Sequence, residues 1–314
     1  MQALVLDKQG LHYEKDYPQM EPQLGEALIR VLYAGVCNTD LEMIRGYKGF
    51  SGILGHEFVG IVERCQDKAL VGQRVVGEIN IGCGVCKSCL SGCANHCTQR
   101  NVLGIIGKNG VFADYTVLPE KNLHIVSEAI SDLTAVFAEP LAAAVEIVEQ
   151  CHVKPTDRVA VIGDGKLGQL IAQVLSLTGC CLTVIGKHPE KLSLLKDRAR
   201  TVIFNPTEDE RRFDMVVECT GNEEGLQYAG AIVKPRGKVI LKSTFANQKG
   251  LIGSEWVVNE IMLIGSRCGP IAAALRLMER GLVDVEPLID EIYTLPQWEK
   301  VFSKQGSLKA VFKL

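Results

Sequence analysis

Val159-Ala160-Val161-Ile162-Gly163-Asp164-Gly165-Lys166-Leu167-Gly168 is the stretch that decides the fold. An apolar run rich in β-branched residues reads as a buried strand, and the pattern over Leu167–Leu177 reads as a helix. Between them lies G-x-G-x-x-G. Alone the string says little. Between a strand and a helix each glycine has a separate role. Gly163 makes the tight turn, Gly165 lets the backbone approach a pyrophosphate, and Gly168 packs the helix on the sheet. The pyrophosphate then meets the helix N-terminus, beside Lys166 and Leu167. The plainer alternative is a structural turn without a ligand.

The same alternation runs outward. Strands are expected at Arg158–Ile162, Cys181–Ile185, Thr201–Phe204, Asp214–Glu218, Lys238–Leu241 and Met262–Gly265. Helices are expected at Leu133–Val148, Leu167–Leu177, Glu190–Arg198, Gly225–Ile232 and Ile271–Arg280, and a last strand at Leu308–Lys313. Alternating strands and helices imply βαβ units and a doubly wound parallel sheet, an α/β fold. The turn Glu218-Cys219-Thr220-Gly221 ends one such strand, so Thr220 should border the cofactor.

Cofactor choice is read at the end of the second strand, where NAD enzymes need an acid for the ribose 2′-hydroxyl. Here the residue is Gly186, followed by Lys187 and His188. Basic residues without a carboxylate welcome a 2′-phosphate, which favours NADP(H) over NAD(H). Against this stands the reading of Lys187 and His188 as ordinary loop residues.

Residues 1 to about 128 read differently, as short strands at Ala27–Tyr33, Glu57–Glu63 and Gln73–Ile79 among glycine turns. Five of the chain's twelve cysteines fall between Cys83 and Cys97. Cys83, Cys86, Cys89 and Cys97 can surround a tetrahedral structural Zn²⁺. Cys83, Cys86, Cys89 and Cys93 instead match the C-x2-C-x2-C-x3-C run of iron–sulfur proteins, but Ala94 stands where that run carries proline and no second run exists.

Cys37-Asn38-Thr39-Asp40 and Gly55-His56-Glu57 lie about twenty residues apart in this β-rich part. Cys, His and Glu are ligand types of catalytic zinc, which keeps one position open for water or substrate. Thr39 can accept a proton by hydrogen bond, and Asp40 can orient His56 through its second ring nitrogen. A further carboxylate, Glu139, precedes Pro140. Each residue alone has a plain reading: a buried cysteine, a structural histidine, a helix-entry acid.

Together, Gly-His-Glu-Phe-Val-Gly at 55–60, the four-cysteine lobe and the Cys-x-Thr-Asp box resemble the zinc-containing medium-chain dehydrogenase/reductase family, with its alcohol, sorbitol, threonine and glucose dehydrogenases. The resemblance covers essentially the whole chain. It implies a GroES-like catalytic domain over residues 1–140, a Rossmann cofactor domain over 141–267, and a return segment over 268–314 that completes the first. It implies a catalytic zinc on Cys37 and His56, with Glu57 or Glu139 beside or on the metal. Thr39 touches the substrate hydroxyl, and Lys309 contacts the cofactor phosphates. Where many members carry a relay histidine this chain has Glu42, as in sugar-oxidising relatives. The implied substrate is an alcohol, polyol or sugar, and the implied assembly a homodimer or homotetramer. Two other functions are a member of the fold that binds NADPH without catalysis, and an electron-transfer protein built on the cysteines.

The 314 residues carry a formal charge of −3, which gives no basic face for nucleic acid. No apolar run approaches the ~20 residues of a membrane helix and no signal segment is read, so the cytoplasm is the expected compartment.

Overall fold

Six parallel strands lie in the order Arg200–Ile203, Cys181–Gly186, Arg158–Ile162, Phe213–Glu218, Val233–Leu241, Met262–Gly265. The chain starts at the third position, winds one way and then the other, which is the doubly wound arrangement. Val159, Ala160, Val161 and Ile162 are each at most 2% exposed, as the apolar run requires of a strand covered on both faces. The computed structural model describes residues 1–205, 211–243, 253–304, 306 and 308–314.

The chain forms two compact units. One comprises residues 1–139, 271–281 and 285–314; the other comprises 140–270 and 282–284. The first is built on a seven-stranded sheet in the order Leu123–Ile125, Arg74–Gly77, Glu57–Arg64, Glu26–Gly35, Lys309–Lys313, Ile289–Thr294, with Tyr115–Pro119 also paired to Glu26–Gly35. The long strand Glu26–Gly35 is its organiser. Gly35 stands opposite both Glu57 and Val311, so three distant segments meet at one strand end. Phe112 and Phe312 pack edge to face in the core of this unit, their centroids 5.2 Å apart.

Two expectations are corrected. Leu133–Val148 is not one helix but two, Asp132–Ala135 and Ala138–Gln150. Pro140 has no N–H and its ring would strike the carbonyl four residues back, so a new helix must start around it. The helix expected at Glu190–Arg198 spans only Pro189–Ser193. Among the described residues no helix is long and apolar enough to cross a membrane.

Candidate active site

Cys37 leaves the strand Glu26–Gly35 and caps the helix Asn38–Ile44. Its sulfur accepts from the Thr39 N–H at 3.5 Å, while the Asp40 carboxylate reaches back to accept from the Cys37 N–H at 2.8 Å. This reciprocal cap fixes the cysteine and the aspartate as one unit. The strand Glu57–Arg64 begins opposite Gly35, which brings His56 and Glu57 to the same end. The ligand atoms of Cys37, His56 and Glu57 all lie within 4.8 Å of one another. His56 and Glu57 are buried, Cys37 half-buried.

Charge surrounds these three side chains. Asp40 Oδ1 lies 3.3 Å from His56 Nδ1, and among the described residues neither atom has a hydrogen-bond partner of its own. Burial pulls the imidazole toward its neutral form, but the Asp40 carboxylate and the Cys37 sulfur outweigh it and hold its pKa well above the ordinary value. With Nδ1 turned to Asp40, Nε2 is left for a metal. The Thr39 hydroxyl sits 3.5 Å from the Cys37 sulfur. A soft sulfur, an imidazole and a carboxylate around a mostly buried point are a donor set that fits Zn²⁺.

Glu57 is ion-paired with Lys309, whose ammonium also donates to the Val36 carbonyl at 3.4 Å and lies 5.4 Å from the Phe137 ring centroid. The resemblance puts Lys309 at the cofactor phosphates; the structure instead buries it completely. A buried carboxylate needs a cation, and among the described residues Lys309 supplies it. The resemblance also offers Glu139 as a ligand, yet its carboxylate stands outside the Cys37–His56–Glu57 group. It lies in the first turn of Ala138–Gln150, where the helix dipole favours an acid. Glu42 is bonded to Arg45 at 2.6 Å on an exposed face.

The cysteine lobe gathers Cys83, Cys86, Cys89 and Cys97, their sulfurs within 4.8 Å of one another. Tetrahedral zinc at about 2.3 Å holds sulfurs roughly 3.8 Å apart, and Cys83 and Cys89 are 4.0 Å apart. Cys93 is exposed and outside the group, against the iron–sulfur spacing. Amides of Val85 and Cys86 draw the Cys83 thiol down to about 6. The Gly84 amide lowers Cys89, but burial and the three neighbouring thiols outweigh it and push Cys89 up to about 11. Sulfurs this close shed their protons together only around a cation, so this lobe also fits zinc.

In the other unit, Gly163 takes φ +121° and the turn runs into the helix Lys166–Ser176. A β-carbon on Gly168 would lie 2.0 Å from the Gly163 carbonyl oxygen, so only glycine lets the helix meet the turn. Gly165 caps the helix, no side chain bonds to that cap, and the space beside Gly165 is open. A helix N-terminus with no side-chain cap and open space at Gly165 fits a pyrophosphate. Lys166 and Leu167, both half-buried, open the helix. Thr220 lies past the end of the neighbouring strand, bonded through its N–H and its hydroxyl to Glu218. Gly186 ends the second strand, with Lys187 and His188 exposed beyond it. Two features escaped the sequence reading: the Cys219 thiol packed under Gly163, and the Asp164 carboxylate lying against Gly186.

Residues 23–128 match the family described as the alcohol dehydrogenase GroES-like domain. The chain is 27% identical over 336 residues to the sorbitol dehydrogenase of Halalkalibacterium halodurans, covering 99% of this chain and 98% of that one. It is 29% identical to the D-arabitol-phosphate dehydrogenase of Enterococcus avium, covering 89% and 86%. Over residues 23–128 the chain carries an alcohol dehydrogenase GroES-like domain, and along its length it is similar to medium-chain alcohol and polyol dehydrogenases. The alcohol dehydrogenase TADH of Thermus sp. ATN1 superposes on this chain with a TM-score of 0.87 at 27% identity, covering 100% of this chain and 99% of that one. These relatives are dehydrogenases, which supports an oxidoreductase.

Proposed function

We propose that this chain is a zinc-dependent dehydrogenase that exchanges a hydride between an alcohol, polyol or sugar hydroxyl and a nicotinamide cofactor, NADP(H) in preference to NAD(H). The observation that carries the reading is the convergence of Cys37, His56 and Glu57 within 4.8 Å beside the Thr39 hydroxyl. The names of the sorbitol and arabitol-phosphate relatives support a polyol as the substrate class.

When bound, zinc supplies the Lewis acidity that lets a substrate hydroxyl lose its proton near neutral pH, and the nicotinamide takes the hydride. The chain's own residues do the rest. Cys37 and His56 hold the metal, and Asp40 keeps His56 turned toward it. Thr39 would orient the substrate hydroxyl, accept its hydrogen bond and relay the proton by releasing its own to solvent. Lys309 neutralises Glu57, so that this carboxylate stands beside the metal without leaving an unpaired charge in the protein interior. Cys83, Cys86, Cys89 and Cys97 hold a second, structural zinc. Gly163, Gly165 and Gly168 shape the pyrophosphate cradle, with Thr220 at its border.

Elemental analysis of the purified protein tests the reading together with an NADP⁺-coupled screen of polyols and sugars. About two zinc per chain, as two such sites require, no iron, and turnover abolished by Cys37→Ser with NADPH affinity kept are the expected results. Turnover unchanged in Cys37→Ser would overturn the enzyme reading. Iron with sulfide would overturn the zinc lobe.

A further inference from the structure

Gly186 occupies the strand-end position where this fold places the acid for the ribose 2′-hydroxyl. It is buried, and a β-carbon there would lie 2.4 Å from Asp164 Oδ2 and 2.6 Å from Asp164 Cβ. The space of the missing side chain is therefore filled, from the other side, by the second residue of the glycine turn. A carboxylate is present at this end of the site, but it comes from the turn and not from the strand.

What that carboxylate does follows from its partners. Asp164 Oδ2 accepts from the His188 backbone N–H at 2.7 Å, and the His188 ring Nδ1 lies 3.0 and 3.1 Å from the two carboxylate oxygens. Burial pushes the Asp164 carboxyl up, but the ring and amide of His188 and the amide of Lys187 outweigh it and hold it below the usual carboxylate range. An ionised carboxylate only accepts, so the ring nitrogen facing it carries the hydrogen. Asp164 exposes 9% of its side chain and His188 exposes 49%. The acid is thus mostly buried, and the imidazole that it holds by Nδ1 is half exposed. Lys187 beside it is held by Glu224 at 2.9 Å in a pair that is more than half exposed on both sides and easily released.

We infer that Asp164 is a positioning residue for cofactor selectivity: it fills the side-chain space of Gly186, clamps His188 by Nδ1 and presents its ring, with Lys187, to a ribose 2′-phosphate. The inference rests on reading the glycine turn as a dinucleotide site. It explains why Gly186 and Asp164 occur together. With a side chain at 186 the clamp cannot form; without Asp164 the histidine has no anchor.

The test is calorimetric binding of NADP⁺ and NAD⁺ to the full chain, which needs no turnover. His188→Ala and Asp164→Asn should each weaken NADP⁺ by about tenfold, the scale of one charge-assisted hydrogen bond, and leave NAD⁺ within about twofold. His188→Arg, which keeps a cation at this position, should retain the NADP⁺ binding that His188→Ala loses. The exchange Asp164→Gly with Gly186→Asp returns the acid to the strand and should reverse the preference toward NAD⁺. Retained NAD⁺ binding in each variant shows that the turn is still folded. Binding of both dinucleotides with an unchanged ratio across these variants would overturn the inference alone. Binding of neither by the wild-type chain would sink the dinucleotide reading and this inference with it.

Discussion

Asp40 and His56 face each other at 3.3 Å, both buried, and the other oxygen of Asp40 accepts from the backbone of Cys37. One carboxylate thus contacts two of the residues proposed to hold the metal. Asp40→Asn keeps the shape and removes the charge. It should weaken zinc retention at the Cys37–His56 site by roughly 10–100-fold, read by competition with a chelator. Unchanged retention would mean that the aspartate serves only as a helix cap.

Lys309 and Glu57 make a second test. Both are essentially without solvent contact. Lys309→Met leaves a buried carboxylate unpaired and should cost about 3–5 kcal/mol in urea unfolding. Adding Glu57→Gln should recover much of that loss. A cost below about 0.5 kcal/mol would be the behaviour of an exposed lysine.

The cysteine lobe separates two spacings. Cys97→Ser should lower the zinc content by about one ion per chain, as a four-sulfur site requires. Cys93→Ser, at an exposed thiol outside the group, should leave the metal content unchanged. The reverse pattern would return the lobe to the C-x2-C-x2-C-x3-C assignment.

Gly168 and Gly165 should respond differently to alanine. At 168 the new carbon meets the Gly163 carbonyl oxygen, so thermal unfolding should register a loss of about 1–3 kcal/mol or more. At 165 the space is open, so the folded chain should tolerate the change while pyrophosphate binding weakens. Equal stability losses at the two positions would contradict this division of labour.

Asp164 also predicts an acid dependence. Its carboxyl is held below the ordinary value in the folded chain, so its contribution is fully present above about pH 4. That contribution is lost as the pH falls through the lower folded-state value. Melting curves of wild type and Asp164→Asn should differ at neutral pH and converge in acid. A gap that persists undiminished in strong acid would show that the charge of Asp164 contributes nothing.

The doubly wound sheet is legible in the sequence because its signals are local: apolar runs of strand length, and glycines placed where a turn and a close approach demand them. The cysteine lobe is legible for the same reason, its sulfurs lying within fifteen residues of one another. The grouping of Cys37 with His56 needs the pairing of Gly35 with Glu57, which no local pattern announces. The helix break at Pro140 is marked by the proline itself, but the apolar periodicity runs straight through it and hides the break. The contacts of Lys309 with Glu57, and of Asp164 with Gly186, join residues far apart in the chain. The first bears no local mark at all. The second leaves a faint one, an acid in the turn and a glycine where the acid belongs.

The strand Lys309–Lys313 pairs with Glu26–Gly35, and its first residue neutralises Glu57. During synthesis on the ribosome these partners emerge far apart in time. The cysteine lobe, complete by residue 97, can take up its ion while the chain is still growing. The Lys309 partner of Glu57 is added only when the chain is nearly finished, so Glu57 cannot reach its paired, buried state before then. The four-cysteine group is therefore complete long before the Cys37–His56–Glu57 group has its last partner, and a chain stalled before its last strand would hold the first without the second.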